Sequence, residues 1–335
     1  MRIFFLIFIL LSSHAYTAER KVVKDEPIPN WFKTTFMDFS EDLEEANENN
    51  RHIMIYFHQN GCPYCAKLVR DNFHDKPLVE KLKKNFDSIE VNMFGNRDLN
   101  DWMGREFSEK EFAVQMKIQF TPTLVFLNAK GKTLLRLNGY QSIKKMHATL
   151  GYISNKIYLK KSYVSYLSDL KKNKTGVLNA NVHFESGPHL LMRNQTIPAQ
   201  KVLAVFFEEP NCEECNNFHK NIMPLKQTQE YLKQMQVVRF NAFSDEKLIT
   251  PTGKRTTAKD WYESLNLTYA PAVVFFDQYG KEIIRKDAFL KQFHWLSILE
   301  YVASADYKHQ PEFQRYIIER GDRLRAQGVE VDIWK

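Results

Sequence analysis

Two stretches of the chain carry nearly unbroken apolar runs of strand length, Ile53-Met54-Ile55-Tyr56-Phe57 and Val202-Leu203-Ala204-Val205-Phe206-Phe207. Short runs rich in β-branched and aromatic residues predict buried strands. Each is followed by a helix-period segment, 66–73 with Leu68 and Val69 inward and 216–223 with Phe218 and Ile222 inward. A second strand follows at 88–92 or 236–240, then a long polar excursion ending in a helix at 108–116 or 257–265. A proline opens the third strand, Thr123-Leu124-Val125-Phe126-Leu127 after Pro122 and Ala272-Val273-Val274-Phe275-Phe276 after Pro271. A turn at Gly131-Lys132 or Gly280-Lys281 leads to a last strand at 133–137 or 282–285, and a helix at 143–158 or 294–304 closes each unit. The same order of elements, met twice, marks an internal duplication.

Strand, helix, strand, helix, hairpin and helix predict an α/β fold with a mixed sheet in each unit. The units run over 28–159 and 183–305, joined by a linker at 160–182. Residues 306–335 form a C-terminal tail whose charged helix, 311–327, is expected to dock through Phe313, Ile317 and Trp334. No counterpart to that helix is expected after the first unit. The length of 335 residues suits two domains, each able to bury its own core.

The composition is that of an ordinary globular protein, with 44% hydrophobic and 26% charged residues. The net charge of +7 changes little, because basic and acidic residues alternate through most of the chain. The densest basic stretch, from Lys156 to Lys174, falls between the units and reads as a solvated linker helix, so no nucleic-acid partner is expected. The N-terminus matters more. Arg2, the nine apolar residues from Ile3 to Leu11 and Ser13-His14-Ala15 make residues 1–18 a signal peptide, cleaved after Ala15 or Ala18. Nine apolar residues are too few for the ~30 Å hydrocarbon layer, so export and a soluble mature chain are expected.

Export changes how the four cysteines read, because they form two Cys-x-x-Cys pairs, Cys62-Pro63-Tyr64-Cys65 and Cys212-Glu213-Glu214-Cys215. Four cysteines are too few to staple a chain of this size, and two vicinal pairs suggest redox chemistry. A cysteine directly after a strand stands at a helix N-terminus, where free N–H groups and the macrodipole favour the thiolate. Pro63 suits the first helical position. Cys62 is therefore the expected nucleophile, and Cys65, one turn on, the residue that resolves a mixed disulfide. Pro122 lies sixty positions after Cys62, and Pro271 fifty-nine after Cys212. A cis proline packed against the pair would leave the backbone of Thr121 free to pair with an extended substrate. Pro63, Tyr64, Thr121 and Pro122 are thus expected substrate contacts, with Ala270 and Pro271 their counterparts. A four-Cys zinc site would set its knuckles ~15–20 residues apart, whereas 146 separate Cys65 from Cys212. Haem attachment needs His where Ala66 and Asn216 stand. No metal or cofactor is expected.

With these residues in view, both units resemble thioredoxin-fold domains. Cys-Pro-Tyr-Cys is typical of glutaredoxins and of some periplasmic disulfide-bond proteins. The wider text is similar to the exported thioredoxin-related proteins associated with bacterial sulfur oxidation (SoxW-type). That likeness rests on Phe94-Gly95-Asn96-Arg97-Asp98, Glu109-Lys110-Glu111-Phe112-Ala113, Phe120-Thr121-Pro122-Thr123-Leu124-Val125-Phe126 and Leu135-Arg136-Leu137-Asn138-Gly139-Tyr140. The resemblance implies a periplasmic protein dithiol–disulfide oxidoreductase that exchanges with protein thiols and disulfides and cycles with a membrane-bound thiol reductase or oxidase.

Three departures stand out. Gly61 and Asn211 replace the Trp that thioredoxins carry before the first cysteine. Tyr56 and Phe206 replace the acid that such enzymes often bury six residues before the nucleophile, with His58 and Glu208 as candidate substitutes. Strand alternation leaves open whether those two face the sulfurs. Glu213 and Glu214 disfavour a thiolate beside them, so Cys212 is expected to have the higher pKa and the slower reaction. The second pair reads as a redox site of different potential or as a disulfide kept for structure. The rival reading is a binding or chaperone-like module in which one or both domains hold partners without turnover.

Overall fold

Apolar side chains on both faces of a strand need helices on both faces of its sheet, and each unit supplies them. The computed structural model describes residues 24–170, 176–180 and 183–331. The expected signal peptide and Trp334 lie outside the described residues.

The first unit opens with α1 (Phe39–Glu48), capped by Asp38 accepting from the N–H groups of Ser40 and Glu41. Next come β1 (His52–His58), α2 (Pro63–Asp71), α3 (Lys76–Asn85) and β2 (Phe86–Asn92). The polar excursion is a short hairpin, β3 (Asp98–Asn100) with β4 (Glu106–Ser108), leading into α4 (Glu109–Gln115), whose first turn carries a Ser108–Glu111 capping box. Then follow β5 (Thr123–Leu127), β6 (Thr133–Asn138), α5 (Ile143–Ser154) and α6 (Tyr163–Leu170).

The second unit repeats this order without a counterpart of α1: β7 (Leu203–Glu208), α7 (Glu213–Asn221), α8 (Lys226–Leu232) and β8 (Gln236–Asn241). A hairpin of β9 (Lys247–Ile249) and β10 (Arg255–Thr257) leads to α9 (Ala258–Ser264). The unit closes with β11 (Ala272–Phe276), β12 (Glu282–Lys286), α10 (Gln292–Ala303) and α11 (Phe313–Ala326). The sheets run β2-β1-β5-β6 and β8-β7-β11-β12. In each, one pair is parallel and two are antiparallel, the mixed sheet expected.

In the first unit α2, α3 and α5 bury Leu68, Leu82 and Leu150 on one face of the sheet, while α1 and α4 bury Phe39 and Phe112 on the other. In the second, α7, α8, α10 and α11 cover one face and α9 the other.

The C-terminal helix does have a counterpart, contrary to the sequence expectation. After α5, Lys156 takes a left-handed conformation and a 3-10 turn (Ile157–Leu159) leads into α6; after α10, Ala305 and the turn Asp306–Lys308 lead into α11. Each unit thus ends in the same helix–turn–helix. The basic segment between the units is only partly solvated, since Tyr163 packs into the first core and Val164 into the second. Phe313 and Ile317 are buried in the second core, where α11 docks.

Candidate active site

Each cysteine pair stands where its strand ends and its helix begins. Gly61 (φ +69°) and Asn211 (φ +55°) turn the chain in left-handed conformations that a bulky residue adopts poorly. Cys62 and Cys212 are the N-caps of α2 and α7, and their sulfurs accept the N–H groups of Cys65 at 3.1 Å and Cys215 at 3.0 Å. Pro63 sits in the first helical turn. Both pairs are closed as disulfides, with Cα–Cα separations of 5.2 and 5.1 Å.

The proline loops meet them from the side. The Thr121–Pro122 and Ala270–Pro271 bonds are cis. Cys62 Sγ lies 3.6 Å from the Thr121 carbonyl oxygen and accepts from the Thr121 hydroxyl at 3.4 Å. Cys212 Sγ lies 3.6 Å from the Ala270 carbonyl oxygen, with no hydroxyl to match. Glu214 instead brings a carboxylate oxygen to 3.9 Å from Cys212 Sγ. Beyond the backbone N–H that each accepts, the first sulfur is thus met by a hydroxyl donor and the second by a carboxylate.

The surroundings of the two pairs differ more than their geometry. Pro63 and Tyr64 are buried, whereas Glu213 and Glu214 are exposed. The second unit makes the cover: the Lys291 N–H donates to the Tyr64 hydroxyl at 3.1 Å, and His294 meets the Tyr64 ring edge-on at 5.3 Å. Burial pushes the Tyr64 hydroxyl up to about 12 and the His294 imidazole down to about 4. Helix α11 closes the other flank. Phe313 packs on Phe120, and Gln314 donates to the Gln119 carbonyl at 2.9 Å while accepting from Gln59 at 3.2 Å.

The candidate substitutes for the buried acid are both engaged elsewhere. His58 pairs with Glu90 at 2.7 Å, and Arg97 links Glu90 to Glu109. Glu208 is fully buried and binds His219 at 2.8 Å and Arg239 at 3.3 Å. Register places Glu90 beside Tyr56 and Arg239 beside Phe206, so both units pair the same two strand positions, with the carboxylate on β2 in the first and on β7 in the second.

Sequence reasoning missed Lys286. It ends β12 facing the core, 2% exposed, and its Nζ donates to the Pro271 carbonyl beneath the second pair. The signal was present: alternation from inward Ile284 turns residue 286 inward as well.

A family model described as a thioredoxin-like domain matches residues 39–154 and 192–303. Among solved structures, a thioredoxin-fold protein from Helicobacter pylori is 26% identical over 37% of this chain and 88% of its own, with a TM-score of 0.32. A thioredoxin from Thermus thermophilus is 24% identical over 35% of this chain and 83% of its own, with a TM-score of 0.29. A DsbH oxidoreductase is 18% identical over 40% and 92%, also with a TM-score of 0.29. No curated protein matches the chain.

Proposed function

The chain belongs to the thioredoxin-like domain family, and from that premise we propose that it is an exported thiol–disulfide oxidoreductase acting on protein substrates through Cys62 and Cys65. The observation that carries this reading is the pair of donors, the Cys65 N–H and the Thr121 hydroxyl, aimed at Cys62 Sγ at a helix N-terminus. Such donors favour a thiolate over a thiol.

In the reduced protein, the Cys62 thiolate attacks one sulfur of a substrate disulfide, and the other sulfur leaves as a thiolate. The Cys65 thiolate then attacks Cys62 Sγ. The substrate leaves reduced and the Cys62–Cys65 disulfide returns. Run in reverse, the same steps oxidise a substrate dithiol. A membrane-bound thiol reductase or oxidase would reset the pair, and the likeness to exported sulfur-oxidation proteins belongs to this proposal. The second pair is read as a slower redox site.

The test is insulin reduction by dithiothreitol. The intact protein is expected to accelerate it, Cys62→Ser to leave only the slower contribution of the second pair, and Cys65→Ser to trap a mixed disulfide. Absence of acceleration by the intact protein would favour the binding-module reading, which the covered Pro63-Tyr64 dipeptide supports.

A further inference from the structure

The sheet registers align three residues in a row beneath each cysteine pair. In the first unit Tyr56 pairs with Leu124 and Leu124 with Leu137. In the second Phe206 pairs with Val273 and Val273 with Lys286. Tyr56, Leu124 and Leu137 share one core cluster with Cys62, Cys65 and α2, and Phe206 and Val273 share one with Phe218 of α7. Lys286 therefore stands where the first unit has a fully buried leucine, on the face that supports the redox helix. Its ammonium lies 5.3 Å from the Phe218 ring centroid and 4.7 Å from that of Tyr269, and it donates to the Pro271 carbonyl.

The next residue, Asp287, accepts from the backbone N–H groups of Thr268 and Tyr269, both at 2.8 Å. Lys286 and Asp287 together grip the loop whose Ala270 carbonyl touches Cys212 Sγ. In the first unit the Gly139 N–H fills this role, donating to the Pro122 carbonyl at 2.7 Å and bringing no charge. A buried lysine is expensive unless something nearby requires it.

We propose that Lys286 is the positioning residue of the second pair: it holds the proline loop against Cys212 and supplies a buried cation that favours the thiolate Glu213 and Glu214 oppose. The proposal rests on the reading of Cys212–Cys215 as a redox pair. Burial lowers the Lys286 ammonium to about 7, while Asp287, Glu208 and Glu214 oppose the shift. Glu208 is itself shared with His219 and Arg239. A thiolate formed in the same low-dielectric space adds negative charge and favours the ammonium.

The test uses the full chain with Cys62→Ser and Cys65→Ser, so that only the second pair reacts. After phosphine reduction, the Cys212 alkylation rate is followed against pH in this parent, in Lys286→Met and in Lys286→Leu. Both variants are expected to alkylate about tenfold more slowly at pH 7, one unit of thiol pKa, and to lose the inflection that Lys286 adds to the profile. Above the thiol pKa of the parent, where the reduced pair is mostly thiolate, their equilibrium with glutathione is expected to move about tenfold toward the disulfide, or about 30 mV. Both should fold, since leucine occupies this place in the first unit, and thermal melting checks that they do. Profiles and equilibria within twofold of the parent in both folded variants overturn the proposal. So does a parent-like profile in Lys286→Met with a shifted one in Lys286→Leu, which would reduce the residue to packing. Alkylation reads the thiol itself, so a failure of Cys212 to turn over insulin would count against the redox reading alone.

Discussion

Thr121 differs from Ala270 by a hydroxyl and a methyl, and the hydroxyl falls on the nucleophilic sulfur. The Thr121 hydroxyl donates to Cys62 Sγ at 3.4 Å, and such a bond is worth about 1 kcal/mol when its acceptor becomes an anion. Thr121→Ala is therefore expected to raise the Cys62 thiol pKa by roughly half to one unit, slowing its alkylation at pH 7 about three- to tenfold. An unchanged pH profile would show that the hydroxyl does not act on the sulfur. Cysteine spacing, the helix-capping position and the threonine before the proline were all legible in the sequence. The buried Lys286 was legible only by following alternation to the end of β12, and its contact with Pro271 was not.

At the scale of elements, α10 and α11 show how a charged helix joins a core. Phe313 and Ile317 insert beside Trp295, Leu299 and Val302, and Arg320, 4% exposed, donates to Glu300 at 2.7 Å. Arg323 reaches the other Glu300 oxygen at 2.6 Å. Burial alone would raise the Glu300 carboxyl, but the two guanidinium groups outweigh it and hold the pKa below its ordinary value. A depressed carboxyl stabilises the fold above its unfolded pKa of about 4.3, and that stability is lost as pH falls through the lower folded value. Glu300→Gln is expected to cost about 2 kcal/mol at pH 7, less than a fully buried pair because Glu300 is partly exposed, and to flatten the acid limb of the unfolding curve. Denaturant melts of both proteins at pH 7 and pH 3 check this; an equal cost at both values would contradict it. Helices α2, α4, α5, α7, α9, α10 and α11 were legible from periodicity, while α1, α3 and α8 were not read from the sequence. The pairing of α6 with α11 was not legible either, because their sequences share little beyond the left-handed turn and 3-10 step that precede them.

For the whole molecule, the consequence of duplication is that one unit closes the other's site. Cys62 is 3% exposed, next to a Tyr64 that Lys291 and His294 cover and a proline loop whose Phe120 packs on α11. Gln314 makes two hydrogen bonds to the first unit, and losing both weakens the closed arrangement by about 2 kcal/mol. Gln314→Ala is expected to speed labelling of reduced Cys62 by a polyethylene-glycol maleimide up to ~30-fold, with Cys212 unchanged. Equal labelling of both proteins at Cys62 would mean that these contacts do not limit access.

By itself the sequence determined the duplicated α/β fold, the strands bounding each sheet, and the placement of both cysteine pairs at helix starts opposite a proline. These follow from local periodicity and spacing, which short-range sterics and burial enforce. Which inner dipeptide is covered, which side chain meets each sulfur, and where the last helix of each unit packs were decided only by the tertiary structure. The contacts responsible join residues far apart in the chain, Tyr64 with Lys291 and Gln119 with Gln314, and no local pattern records them.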